Sequence, residues 1–92
     1  MREPNPQQRE IIRISLLRYI SQGNGDLARG YLLAAVRAEG FKSVDDIWLA
    51  SELQYLIDKE LIAVVIKVLS PENKYYRLTG NGRDFLAEQT GE

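Results

Sequence analysis

The sequence predicts a small, mainly α domain carrying one β-hairpin, in the order α-α-α-β-β-α. Three observations predict it. Apolar residues recur at helical spacing through the first 60 residues, broken twice by turn formers. A β-branched run, a Ser-Pro-Glu-Asn cluster and a second strand-like run follow. A threonine then opens a last short amphipathic stretch. With 92 residues the chain has room for one core and too little for two.

Met1 to Pro6, with Pro4 and Pro6, reads as an unpaired lead-in without the apolar stretch of a signal peptide. The domain is expected over residues 7–89, with a frayed tail at 90–92. From Gln7 to Gln22, Ile11, Ile12, Leu16, Tyr19 and Ile20 lie at helical spacing, with Arg9, Arg13 and Arg18 between them, so a first helix with an arginine-bearing outer face is expected. Ser21-Gln22-Gly23-Asn24-Gly25 ends it. Asp26 is the expected N-cap of a second helix that turns Leu27, Tyr31, Leu32, Ala35 and Val36 inward and ends at Gly40. Gly30 inside it either permits a close helix approach or is incidental.

Ser43-Val44-Asp45-Asp46 has the spacing of a capping box, so a third helix is expected to start at Ser43. Leu49, Leu53, Leu56 and Ile57 form its inner face. Leu61 to Leu69 and Lys74 to Thr79 are the two strands of a hairpin, with the turn at Ser70-Pro71-Glu72-Asn73. Thr79 caps the last helix, which packs Phe85 and Leu86 against the body.

Two segments carry a family resemblance. Leu53-Gln54-Tyr55-Leu56-Ile57-Asp58-Lys59-Glu60-Leu61-Ile62 is similar to the passage from third helix to second strand in winged helix-turn-helix proteins, except that Glu60 stands where a glycine is usual. Tyr76-Arg77-Leu78-Thr79-Gly80-Asn81-Gly82-Arg83-Asp84-Phe85-Leu86 resembles the strand-to-helix passage of MarR-like and PadR-like regulators, with the spacing Tyr-x-Leu-Thr-x-x-Gly. The resemblance runs from the first helix onward and implies a winged helix-turn-helix whose third helix enters the major groove of DNA. With Glu60 in place of glycine, the third helix is expected to end without a left-handed cap. In size the chain also resembles small winged-helix proteins carried by prophages, Mu-like ones included, which implies a bacterial cytoplasm.

The charges complicate the implied function. Residues 43–60 hold five acids, Asp45, Asp46, Glu52, Asp58 and Glu60, against one base, Lys59. That segment carries −4 in a chain of net charge −1, and a helix bound between phosphates ordinarily brings cations. Opposite Leu53, Val44, Trp48, Ser51 and Tyr55 form an apolar, aromatic stripe suited to a protein partner or a second copy of the chain. The alternative for Trp48 and Tyr55 is burial against the second helix or a terminal segment.

Basic residues lie elsewhere. Arg9, Arg13 and Arg18 of the first helix, together with Lys67, Lys74 and Arg77 of the wing, are candidate phosphate contacts. Arg29, Arg37 and Lys42 are further cations that are either phosphate contacts or ordinary solvated side chains.

Catalysis is not expected. Cysteine and histidine are absent from the sequence, the serines have no base, and the glycines match no phosphate-binding loop. Asp45 and Asp46 point about 100° apart and make a poor carboxylate pair. No metal, cofactor or membrane association is expected. The residues favour a protein-interaction adaptor working through the third helix, and the fold favours a dimeric DNA-binding regulator working through the wing and the first-helix arginines.

Overall fold

The computed structural model describes residues 5–23, 25 and 27–90. Its elements run α1 (Pro6–Gly23), β1 (Leu27–Ala28), α2 (Arg29–Ala38), α3 (Asp46–Asp58), β2 (Ile62–Lys67), β3 (Ser70–Leu78) and α4 (Gly80–Thr90). The strands form one antiparallel sheet in the order β1-β3-β2. Among the described residues, no helix is long and apolar enough to cross a membrane.

Helix α1 begins one residue before the expected Gln7, on a capping box. The Gln8 amide donates to Asn5 Oδ1 at 2.8 Å and the Asn5 amide donates to Gln8 Oε1 at 3.0 Å. Pro6 occupies the first helical position, where no amide hydrogen is needed. The helix buries Ile12, Ser15, Leu16, Leu17 and Ile20, leaving Ile11 exposed and Tyr19 half-buried.

The expected Asp26 cap lies outside the described residues. Helix α2 starts later than that cap implied, at Arg29, because Leu27 and Ala28 form an extra strand paired with Tyr76 and Tyr75 of β3. A two-residue strand shows no alternating pattern in sequence; its partner decides it. Leu32 and Val36 point into the core while Tyr31, expected inside, is exposed. A side chain at Gly30 would meet nothing within 4 Å, so that glycine serves no close approach. Gly40 follows the helix in the left-handed region, at φ 114°.

Helix α3 is capped by Asp45 instead of Ser43, the Trp48 amide donating to Asp45 Oδ1 at 2.7 Å. At its other end the expectation from Glu60 is reversed. Glu60 adopts the left-handed conformation itself, at φ 61°. The Leu61 amide donates to the Leu56 carbonyl at 3.0 Å and the Glu60 amide to the Ile57 carbonyl at 2.9 Å, a complete Schellman ending. The geometry that glycine usually supplies is therefore kept by a residue that it strains.

The wing turns earlier than expected. Lys67 pairs with Ser70, so the chain reverses at Val68-Leu69, which are 92% and 96% exposed. The preceding pair is Ile66 with Lys74, so Pro71, Glu72 and Asn73 form an irregularity within β3 where the turn was placed.

The Tyr-x-Leu-Thr-x-x-Gly segment locks wing to body. Tyr76 and Leu78 are buried. The Thr79 hydroxyl donates to the Glu60 carbonyl at 2.6 Å, and the Gly82 amide donates to Thr79 Oγ1 at 3.0 Å. A Cβ on Gly82 would overlap the Leu61 carbonyl oxygen. The core beneath comprises Ile12, Leu16, Leu17, Ile20, Leu32, Val36, Val44, Leu49, Leu53, Leu56, Ile62, Tyr76 and Leu78. Two substitutions check this junction by urea denaturation. Gly82→Ala is expected to lower stability by about 2 kcal/mol or more through overpacking, and Glu60→Gly to raise it by about 1 kcal/mol by relieving the left-handed residue.

Candidate nucleic-acid interface

Which face α3 turns outward depends on Glu52. On sequence it is a charged residue between core positions, to be placed toward solvent. In the structure it is 5% exposed, and Arg13 of α1 donates through Nε to its Oε1 at 2.5 Å. Arg9 Nε lies 3.9 Å from the other carboxylate oxygen. The Arg13 guanidinium also covers the Tyr55 ring, with Cζ 3.8 Å from its centroid, and Lys59 Nζ lies 5.7 Å from the same centroid.

The buried set on α3 is therefore Leu49, Glu52, Leu53 and Leu56. At 100° per residue, its centre lies about 50° from Leu53, and the opposite side rotates with it. That outer line carries Ile47, Ser51, Gln54 and Asp58, all exposed, with Ile47 at 82%. Of the expected stripe, Ser51 and Tyr55 lie at the surface, Trp48 partly so, and Val44 does not. Val44 is 0% exposed and belongs to the core, because it precedes the helix and packs beneath it. Trp48 is half-buried against that core; Ser51 is exposed, and Tyr55 is 37% exposed beneath Arg13. Ile47 and Gln54 are not among the residues opposite Leu53, because the buried face of α3 is centred about 50° away from that residue. The signal that could have found them is an arginine on α1 long enough to draw Glu52 inward.

The candidate cations separate in the same way. Arg9 and Arg13, expected to meet phosphate, are held at Glu52. Arg18 is exposed on α1. Lys74 shares the sheet face of Tyr76 and lines a shallow groove with Ala28, Arg29, Gly30, Asp46 and Asn73, where the N-terminal ends of α2 and α3 meet the wing. Lys67 lies over the Tyr75 ring at 4.3 Å, on the opposite face of the wing. Arg77 is also on that opposite face, and with Arg83 it lines a hollow beside Ile20 and Ser21. The six expected contacts therefore do not form one surface.

Arg29 pairs with Asp46 at 3.0 Å across the groove, with both side chains about half exposed. Beneath them, burial pushes the Tyr76 phenol above its ordinary pKa; Arg29 opposes the shift and Asp46 adds to it. Arg37 Nε donates to the Val44 carbonyl at 2.8 Å, and so ties the turn before α3 to α2. Helix α2 has no side-chain cap on its first turn. Among the described residues, no group of three acidic side chains is placed to hold a metal ion.

No protein-family model and no curated protein matches the sequence. Solved structures do match the architecture, which is that of a winged-helix protein. A PadR-like transcriptional regulator from Bacillus cereus superposes with a TM-score of 0.78 at 24% identity, over 91% of this chain and 82% of its own. A variant of S. aureus MepR bound to an oligodeoxyribonucleotide matches at 0.75 and 18%, over 87% of this chain and 54% of its own. The adhesin competence repressor of Streptococcus pyogenes matches at 0.71 and 16%, over 87% and 53%. The chain thus spans about half the length of these last two proteins. The winged-helix fold expected from the Tyr76 to Leu86 segment is established by these likenesses.

The Glu52 cluster is open to mutational test. Arg13→Ala is expected to cost about 3 kcal/mol in urea denaturation by leaving a buried carboxylate poorly paired, whereas Arg18→Ala should change stability by less than about 0.5 kcal/mol. Trp48→Ala is expected to lose about 2 kcal/mol, as a half-buried packing residue should.

Proposed function

We propose that the chain is a non-catalytic DNA-binding module that presents α3 to the major groove, flanked by Arg29 and Lys74. The observation that carries this reading is where the acids of α3 go. Glu52 is withdrawn into the core against Arg13, Asp46 is answered by Arg29, and one Asp45 oxygen accepts the Trp48 amide as a helix cap. The −4 charge of the segment is therefore not a −4 surface. The outer line offers Ile47, Ser51 and Gln54 to a groove, with Asp58 the one charge on it, and Arg29 and Lys74 line the groove at the N-terminal end of α3, where they can meet phosphate.

The Arg29–Asp46 pair is exposed and weak, so Arg29 can turn from it to a phosphate, which leaves the Asp46 carboxylate to the N-terminal end of α3 alone. The backbone amides at the start of α2, uncapped by a side chain, lie next to Arg29 and add to the positive end of that helix. The MepR neighbours include a DNA complex and a variant bound to an oligodeoxyribonucleotide, and the Bacillus cereus neighbour is a transcriptional regulator. These agree with the reading. A protein adaptor working through Val44, Trp48, Ser51 and Tyr55 is supported less well, because Val44 is core and Trp48 packs on the core, which leaves Ser51 and Tyr55 as its exposed residues.

Binding to random duplex DNA should be measured at about 50 and 200 mM salt, where counterion release makes phosphate contacts visible as a steep loss of affinity. Arg29→Ala and Lys74→Ala should each weaken binding across all sequences and flatten the log–log salt slope by about 1. Arg9→Ala should leave the slope unchanged. Absence of binding by micromolar protein in low salt would sink the proposal.

A further inference from the structure

The outward line of α3 is specific enough to carry a base preference, and this inference rests on the DNA-binding reading above. Ile47 and Gln54 are seven residues apart and share one side of the helix, with Ser51 between them. The sequence of α3 contains neither arginine nor lysine. It therefore lacks the side chains that most often recognise guanine through its O6 and N7 acceptors.

Gln54 is exposed, and its amide is oriented. Its Nε2 donates one hydrogen to Asp58 Oδ1 at 2.9 Å, one turn further along. A glutamine amide has two donor hydrogens and one acceptor oxygen. The bond to Asp58 leaves one hydrogen and Oε1 available. That remaining pair is complementary to adenine, whose N7 accepts and whose N6 amino group donates on the major-groove edge. Guanine presents two acceptors at the same edge, which the remaining Gln54 hydrogen can satisfy only in part, and the negative Asp58 carboxylate beside Gln54 disfavours them further.

Ile47 supplies the other half. Its side chain is 82% exposed at the N-terminal end of α3 and has no polar atom. In the major groove, the apolar feature that matches it is the thymine 5-methyl group. We infer that α3 reads A·T base pairs, with Gln54 on adenine, Asp58 as the residue that positions the Gln54 amide, and Ile47 on a thymine methyl.

The test is selection of the full chain against a randomised duplex pool, followed by competition binding with duplexes altered one pair at a time. The wild-type protein should recover sites with A·T pairs under α3, and replacing the preferred A·T by G·C should weaken binding about tenfold or more. Gln54→Ala should remove that discrimination while leaving the melting temperature in place. Asp58→Asn should reduce the preference for adenine over guanine. Replacing thymine with deoxyuridine, which removes only the methyl group, should weaken the wild type several-fold and leave Ile47→Ala unaffected. Recovery of G·C pairs, flat sequence preference, or full discrimination by Gln54→Ala overturns the base assignment while the DNA-binding reading stands. Failure to bind any duplex overturns both.

Discussion

The buried ion pair between Glu52 and Arg13 governs what this small fold can present to a partner. A carboxylate taken from water must be paired well, since its desolvation is costly and an unpaired charge in the core would be more costly still. Arg13 meets that requirement from α1 at 2.5 Å while its guanidinium stacks on Tyr55. Three consequences follow. Helix α3 turns a polar position toward the core and Ile47, Ser51 and Gln54 toward solvent. The first-helix arginines nearest α3, Arg13 closely and Arg9 more loosely, are drawn to Glu52. The acidic helix loses its most awkward charge from its surface.

The charge count of the sequence and the charge distribution of the structure thus lead to different partners. Read as a sum, residues 43–60 repel DNA. Read in place, Asp45 closes a helix end, Asp46 is matched by Arg29, Glu52 is internal, and Asp58 holds a glutamine amide. The cations that remain near α3 are few. Lys74 belongs to the groove face of the wing, while Lys67 and Arg77 belong to its other face, because successive residues of a strand alternate sides. A protein of net charge −1 can in this way keep a local face compatible with phosphate.

Much of the fold was legible in the sequence, because local chemistry determines it. The hairpin followed from β-branched runs, and the Thr79 cap and the need for Gly82 are physical meanings of one recognisable spacing. The Asn5-Pro6-Gln7-Gln8 capping box at the start of α1 is equally local, although the expected lead-in takes in Asn5 and Pro6. Other features depend on distant partners and could not be read locally. Strand β1 exists because β3 accepts it, and Val68-Leu69 makes the turn because the register of β2 with β3 absorbs Pro71 to Asn73. The outer line of α3 is not legible locally for the same reason: the burial of Glu52 depends on Arg13, 39 residues away. Leu49 and Leu56 already turn the buried face away from Leu53, and the inward Glu52 turns it further, so the outer line lies off Trp48 and Tyr55.

Whether the pairing of Glu52 with Arg13 sets the face that α3 is proposed to offer to DNA is tested most directly by mapping backbone amide shifts of the labelled protein during titration with a short duplex. The account predicts that the largest changes fall at Ile47, Ser51 and Gln54, with companions at Gly30 and Lys74, while Leu61 and Phe85 stay still. Changes centred instead on Tyr55, Leu61 and Phe85, or spread along the first-helix arginines, would contradict it.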